Sequence, residues 1–401
     1  MKILYISQHF PPEIGAAQGR AYDMSKNLVK HGQEVTMLTT FPNDQTSYKW
    51  FEKEQRDGIQ VRRSFRIKDK KSSAKNRLAN YFSFMASSIL SGAFTKKPDV
   101  VYATSPQLFV GVAGYVLSRI HRTKFVLEVR DLWVDFAELL SQFNNKKLLN
   151  LARRLERFLY MKADKIITVT DGYKQRLIEQ GIPAEKIEVI TNGVDPESLQ
   201  QVEATVDVKA KHNIEDQLLI LFAGNIGAAQ GLDVVIEAAM EFKKQQKPVV
   251  FMLIGNGVEK ENLKQMASEY QLDNIMIMNS MKKKELVHYY QAADLCLVSL
   301  KKHPLFEITI PSKVFDCMGM NVPMLIGVDG EARQIVEEFN AGIFFEPENP
   351  IDLVEKVNNV LDHPESLEEM KQHIGQAIEH KYNRQELAKQ LSTILEKTKR
   401  K

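Results

Sequence analysis

The sequence predicts an α/β protein of two doubly wound domains, each a parallel sheet with helices on both faces. Three observations predict it. The chain has 401 residues, more than one domain usually holds. Short apolar runs alternate with helical patterns, as parallel strands and crossover helices do. That alternation restarts after the polar stretch "TNGVDPESLQ" at 191–200. The boundary is therefore expected near 195–205, with one domain over 1–195 and a second over 196–377.

"MKILYIS" reads as the first strand and runs into the loop "QHFPPEIGAAQGR". "AYDMSKNLVKHG" reads as a helix closed by Gly32. "EVTMLTT", "DVVYATS", "KFVLEVRDLW", "ADKIITVT" and "KIEVITNG" read as further strands, with "VGVAGYVLSRIH" and "DGYKQRLIEQG" as helices between them. The second series opens with "QLLILFAGNIGAAQG" and the helix "LDVVIEAAMEFKK". It continues through "PVVFMLIGNG", "NIMIMNS", "ADLCLVSL", "VPMLIGV" and "GIFFE". From Asp352 the pattern is helical almost to the end.

Composition excludes several classes. Hydrophobic residues make up 44% and charged residues 26%, ordinary for a soluble globular protein. The first residues lack a signal-peptide pattern, and no apolar run is long enough to span a bilayer. Cys296 and Cys317 are the only cysteines, so a cytoplasmic protein without disulfides is expected. No Cys/His cluster has metal-ligand spacing, so neither metal nor other cofactor is expected. Charge is uneven. Residues 1–195 hold 31 Lys and Arg against 20 Asp and Glu, a balance of +11, which leaves −8 for the rest.

Three stretches could carry chemistry. The loops "SQHFPPEIGAAQGR" (7–20) and "AGNIGAAQG" (223–231) each follow a first strand and precede a first helix. Gly15, Gly224 and Gly227 let backbone approach a ligand, and helix-start amides favour phosphate. Neither loop matches a dinucleotide or P-loop fingerprint, so tight turns alone remain an alternative. In "FEITIPSKVFDCMGMNVP" (306–323), Pro311 suits a first helical turn, and Thr309 or Ser312 could cap it. Lys313 then sits at a helix N-terminus, where the dipole disfavours a cation unless an anion binds there. Asp316, one turn on, could take ribose hydroxyls; a solvated Lys–Asp pair is the alternative. Finally, "LEVRDLWVD" (127–135) puts Arg130 and Asp131 at a strand's C-terminal end, where α/β domains bind ligands, or makes them a structural pair. His9 ends the first strand, as a polar contact or a packed histidine.

These pieces, in this order, resemble the retaining glycosyltransferases of family 4, with the two-domain GT-B fold, over nearly the whole chain. The matching pieces are the N-terminal "MKILYISQHFPPEIGAAQGR", "PAEKIEVITNGVD", "LFAGNIGAAQGLDVVIEAA", "LIGNGVEKENLK", "YYQAADLCLVSL", "PSKVFDCMGMNVPML" and "GEARQIVEEFNAGIFFEPENP". The nearest subgroup builds capsule, O-antigen and similar surface polysaccharides and includes N-acetyl-fucosamine transferases. The resemblance implies two Rossmann-like domains facing each other across a cleft, with the tail 378–401 packed back on the first. It implies transfer of an N-acetylated or deoxy hexose from a nucleotide diphosphate, UDP-linked, to a saccharide on a polyprenyl diphosphate. It also implies retention by front-face attack without a metal.

The resemblance assigns residues as well. Asp316 stands where the family has the glutamate that binds ribose. Asn225 and Gln230 occupy the places of an Arg and a Lys that grip the diphosphate, so Lys313, Arg130, Ser312 and the amides of 226–228 are expected to take over. The family's other acid falls at Ile308, which leaves Glu307 one place off. Asp131 and His9, with Arg20 from the first loop, are expected on the acceptor side. Competing classes are a UDP-N-acetylhexosamine 2-epimerase, which needs acid/base groups across the ring, and a non-catalytic sugar-binding relative.

Residues 56–97 carry 11 Lys and Arg against Asp57 and Asp69. Together with the apolar "LANYFSFMASSILSGAF" they predict an anionic-membrane contact through Arg62, Arg63, Lys70 and Lys71. The protein is thus expected to lie peripherally on the inner face of the cell membrane. No nucleic-acid motif accompanies the basic stretch, and no nucleic-acid partner is expected.

Overall fold

The computed structural model describes residues 1–13, 15–42, 49–68, 74–105, 107–139, 145–195 and 206–400. The chain forms two compact units, Met1–Asn192 with Arg384–Lys401, and Gly193–Asn383.

In the first unit, strands β1 (Lys2–Ile6), β2 (Glu34–Thr40), β3 (Phe51–Arg56), β4 (Ile59–Ser64), β5 (Val100–Thr104), β6 (Lys124–Val129), β7 (Lys165–Thr168) and β8 (Ile187–Val189) form one sheet. Their order is β3-β4-β2-β1-β5-β6-β7-β8, and only β3 runs antiparallel to its neighbour. Helices α1 (Ala16–Lys30), α2 (Ala74–Ala93), α3 (Leu108–His121), α4 (Trp133–Leu139), α5 (Lys146–Lys162) and α6 (Asp171–Glu179) connect the strands. Parallel strands buried on both faces read as unbroken apolar runs, and β1 and β5 are of this kind, with Tyr5 and Tyr102 stacked edge-on at 4.7 Å.

The hairpin β3–β4 was not expected. Its turn is Asp57-Gly58 with φ of +47° and +78°, the two-residue pattern whose twist suits paired strands. The pairing buries Val61 and Ser64 and takes Arg62 and Arg63 into the sheet.

The second unit holds α7 (Val208–His212), β9 (Leu218–Asn225), α8 (Asp233–Lys244), β10 (Val249–Asn256), α9 (Lys260–Glu269), β11 (Ile275–Met278), α10 (Lys283–Ala292), β12 (Leu295–Ser299), α11 (Pro304–Glu307), α12 (Ser312–Gly319), β13 (Met324–Gly327), α13 (Glu331–Phe339), β14 (Gly342–Phe344), α14 (Pro350–Asp362) and α15 (Glu365–Ala377). Its six-stranded sheet has the order β11-β10-β9-β12-β13-β14, parallel throughout. The order reverses between β9 and β12. In open α/β sheets ligands bind beyond the strand ends at such a switch.

The last helix, α16 (Arg384–Arg400), belongs to the first unit. Leu387, Ala388, Leu391 and Leu395 recur at helical spacing and join the core formed by Ile3, Met24, Leu28 and Met37. Arg384 pairs with Asp23 of α1. No described helix is long and apolar enough to cross a membrane.

Candidate functional site

The second unit brings Lys313 and Gly224 together at the switch. β12 lies beside β9, and after the short α11 the chain enters α12, whose first turn meets the end of β9. Gly224 there has φ +149°, and a Cβ on it would lie 2.6 Å from Lys313 Cε and 3.0 Å from its Nζ. A side chain at 224 would thus crowd the end of the lysine and displace it. Lys313 Nζ stands 4.7 Å from the centre of the Phe222 ring. Burial pulls the Lys313 pKa below its ordinary value, and the opposing field of exposed Asp316 does not restore it.

The start of α12 differs from expectation. Pro311 takes the N-cap position and no side chain caps the helix. Thr309 instead donates its hydroxyl to Leu305 O at 2.7 Å. Ser312 and Lys313 are therefore the first residues of an amide end that no side chain closes, one that suits an anion.

The glycine turn is closed from within. Ile226 N donates to Asn256 O at 2.9 Å and Gly227 N to Gln230 Oε1 at 3.0 Å. Two of the amides expected to meet phosphate are thus already engaged, and Gln230 holds the turn's shape. Asn225 stays exposed at the end of β9. Glu307 is exposed on α11 and lines a pocket with Lys302, His303, Asp329 and Arg333. The carbonyl of Glu307 lies 2.0 Å from where a Cβ on Gly330 would be.

In the first unit, Gln107 links two expected residues. Its amide nitrogen is 2.6 Å from His9 Nε2, and an amide NH2 can only donate, so His9 Nε2 accepts and the ring is neutral. Burial, then the positive fields of Arg66 and Arg130, lowers the His9 pKa to about 4. Gln107 also lines a small pocket with Ser105, Asp131, Trp133, Glu156 and Tyr160. Burial raises the Asp131 pKa to about 6 against the field of Arg130. Arg130 is fastened by its backbone N–H to Ser105 Oγ at 2.8 Å. Glu156, which the sequence reading missed, is raised to about 7 by burial and by Asp135. Its one signal is that it is the sole acid of the basic helix α5. Gly15 stands exposed as the N-cap of α1, which also lacks a side-chain cap.

Three expectations are corrected. Arg20 does not face an acceptor. It is 1% exposed, bound to Glu128 at 2.8 Å and to the carbonyls of Ile190 and Thr191 at 3.0 and 2.7 Å. Arg63 does not face a membrane. It is 4% exposed and bound to Glu54 at 2.7 Å, to Thr40 O and to Pro11 O. Arg62 is half-buried in the same strand and reaches Ser91 O at 3.3 Å. Lys70 and Lys71 lie outside the described residues. Among the described residues, no group of His, Cys, Asp and Glu is arranged to hold a metal ion.

Comparison with known proteins extends this picture. Residues 17–198 match the family described as Glycosyltransferase Family 4, and residues 206–381 match Glycosyl transferases group 1. A relative named for colanic acid biosynthesis as a glycosyl transferase, from Escherichia coli, is 27% identical over 379 residues, 90% of this chain and 92% of the relative. The amylovoran biosynthesis glycosyltransferase of Erwinia amylovora is 21% identical over 367 residues, 85% of this chain and 86% of its own. Among solved structures, sucrose-phosphate synthase from Thermosynechococcus elongatus has a TM-score of 0.75 at 15% identity, covering 99% of this chain and 98% of that one. Anabaena HepE, in complex with UDP and glucose, has a TM-score of 0.73 at 15% identity, covering 99% and 100%. The shared fold is the two-domain GT-B architecture.

Proposed function

We propose that this chain, a glycosyltransferase with a family 4 domain followed by a group 1 domain, moves a hexose from a uridine diphosphate to a lipid-linked saccharide in surface-polysaccharide assembly. The observation that carries the donor side is Lys313. A cation held over Gly224 at an uncapped helix start, with its burial only partly compensated, suits a diphosphate. The anomeric carbon gains positive charge as the bond to the diphosphate breaks, and the diphosphate gains negative charge. Lys313 and the α12 amides stabilise that leaving group, which is the main electrostatic task. Asp316, on the same helix, takes ribose hydroxyls. The HepE complex with UDP supports a uridine nucleotide.

On the acceptor side, Asp131 orients the incoming hydroxyl and neutral His9 steadies it. Attack from the leaving-group face retains configuration, and basic groups replace a metal. The relatives named for colanic acid and amylovoran biosynthesis support a polysaccharide product, and with it a lipid-linked acceptor at the inner face of the membrane.

A thermal-stability screen of nucleotides tests this reading. UDP or a UDP-sugar at 100 times its dissociation constant should add about 2.7 kcal/mol. No response to any uridine nucleotide would reject it. Recovery of UDP-N-acetylglucosamine as its 2-epimer would instead mark an isomerase.

A further inference from the structure

Beside the glycine turn lies a second cation, which the donor reading does not use. Lys260 is the first residue of α9, a helix without a side-chain cap. A cation at a helix start opposes the dipole, so local sequence would send this lysine into water. It is instead 5% exposed, with its ammonium turned to the strand ends. At the end of β11, Nζ donates to Met278 O at 2.8 Å and to Asn279 Oδ1 at 2.7 Å. At the end of β10 it donates to Gly255 O at 2.9 Å and, more weakly, to Asn256 Oδ1 at 3.3 Å. The ammonium's three protons are thus all taken, and none of these acceptors is a carboxylate. Asn256 Nδ2 donates to Ser280 Oγ at 2.7 Å, which turns its carbonyl oxygen toward the lysine. β11 is an edge strand, and its ladder with β10 ends at Ile254 and Met278. Beyond that pair, Lys260 joins the two strand ends.

The loop so fastened is the bed of the glycine turn. Gly224 and Asn225 lie opposite Gly255 and Asn256 in the ladder. Ile226 N donates to Asn256 O at 2.9 Å, and Glu259 N donates back to Ile226 O at 3.1 Å. The fit leaves no space for side chains. A Cβ on Gly255 would lie 1.8 Å from Gly224 O, and one on Gly257 would lie 1.9 Å from Ile226 O. Backbone is packed on backbone here, so a shift of the loop 255–259 moves the turn. Gly224 is in turn the residue beside Lys313 Nζ. A line of contacts therefore runs from Lys260 through the end of β10 and Gly224 to Lys313, all within the second unit.

We propose that Lys260 is a positioning residue of the donor site. Its ammonium fixes the loop 255–259, and that loop sets where Gly224 and Lys313 meet a diphosphate. Neutral acceptors suit the task, because they hold the ammonium without cancelling its charge, and its field still favours an anion at the neighbouring strand end. The role rests on the uridine-diphosphate reading above. A lysine that only stabilised the sheet would move the melting temperature and leave the ligand affinity of the folded protein alone.

The test is calorimetric titration of UDP into folded wild type, K260M and N279A, with a melting curve for each. K260M keeps most of the stem and removes the ammonium. N279A removes one exposed acceptor and keeps the lysine, so it reports even where K260M does not fold. UDP affinity should fall about tenfold in K260M and about threefold in N279A. In K260A, ammonium chloride should restore part of the lost affinity, and tetramethylammonium chloride, too large for the vacated place, should not. Wild-type affinity in folded K260M, or in N279A where K260M does not fold, would overturn the proposal and leave the donor site standing. So would equal recovery of K260A in both salts, or recovery in neither. No binding of UDP by the wild type would reject the donor reading itself, and this role with it.

Discussion

Arg20, fully buried, and Lys313, half-buried, are cations drawn from water, one in each unit, and their surroundings treat them in opposite ways. Burial is the largest influence on Arg20 and opposes its charge, but the field and hydrogen bond of Glu128, 2.8 Å away, together with smaller raising fields, outweigh it, so the Arg20 pKa rises. Glu128 is lowered in turn and also receives the Thr104 hydroxyl. Around Lys313, burial outweighs the field of Asp316, and the pKa falls. Breaking a closed buried pair leaves an uncompensated charge, so Arg20 ties α1 to β6. A cation whose burial is only partly offset gains most when an anion arrives, so Lys313 is placed to bind one. Burial of a charge thus marks structure in the first unit and, in the function proposed above, a ligand site in the second, and the partner decides which.

Arg20→Met should show the largest effect. It strands Glu128 and should cost about 3–5 kcal/mol in denaturant unfolding. Adding Glu128→Gln should recover part of that cost, because the two act as one network. A fully additive double variant would contradict the pairing.

Gly224→Val should come next. Its side chain would occupy the space of Lys313 Cε, so UDP affinity should fall by at least what loss of a charge-assisted hydrogen bond costs, about 1.5–3 kcal/mol. Near-normal UDP affinity in this variant, measured by calorimetry, would separate the glycine from the lysine.

The smallest effects concern pH in the first unit. His9 is depressed from 6.5 to about 4, so its contribution is full above 6.5 and is lost as pH falls toward 4. Asp131 is raised from 3.8 to about 6, so its contribution is full below 3.8 and is lost as pH rises through 6. The two slopes oppose each other, and single variants separate them. Between pH 7 and pH 5, His9→Gln should lose less thermal stability than wild type does. At pH 7.5, Asp131→Asn should raise the melting temperature and lower turnover while UDP affinity holds. Normal turnover in that variant would remove Asp131 from the acceptor side.

How much of this was legible in the sequence follows the range of the interactions. Gly224 and the "PSK" helix start could be read because a strand end and a helix start are local patterns. Their meeting followed from α/β topology. The β3 strand was missed because "FEKEQR" offers one apolar residue, and only the Asp57-Gly58 turn announced the hairpin. Arg62 and Arg63 then looked like surface charge, since the groups that receive Arg63 lie on β3, β2 and the Pro11 loop. Arg20 was misplaced for the same reason, its carboxylate lying 108 residues away.

Titration of UDP into the wild-type protein and Lys313→Met, with thermal denaturation of both, is the most direct test of the donor site. Met keeps a similar apolar stem over Phe222 and removes only the charge. UDP affinity should drop by roughly ten- to a hundredfold, about 1.5–3 kcal/mol. The melting temperature without ligand should stay level or rise, because a partly compensated buried cation is gone. Unchanged UDP affinity together with a lower melting temperature would contradict the donor site and make Lys313 a structural residue like Arg20.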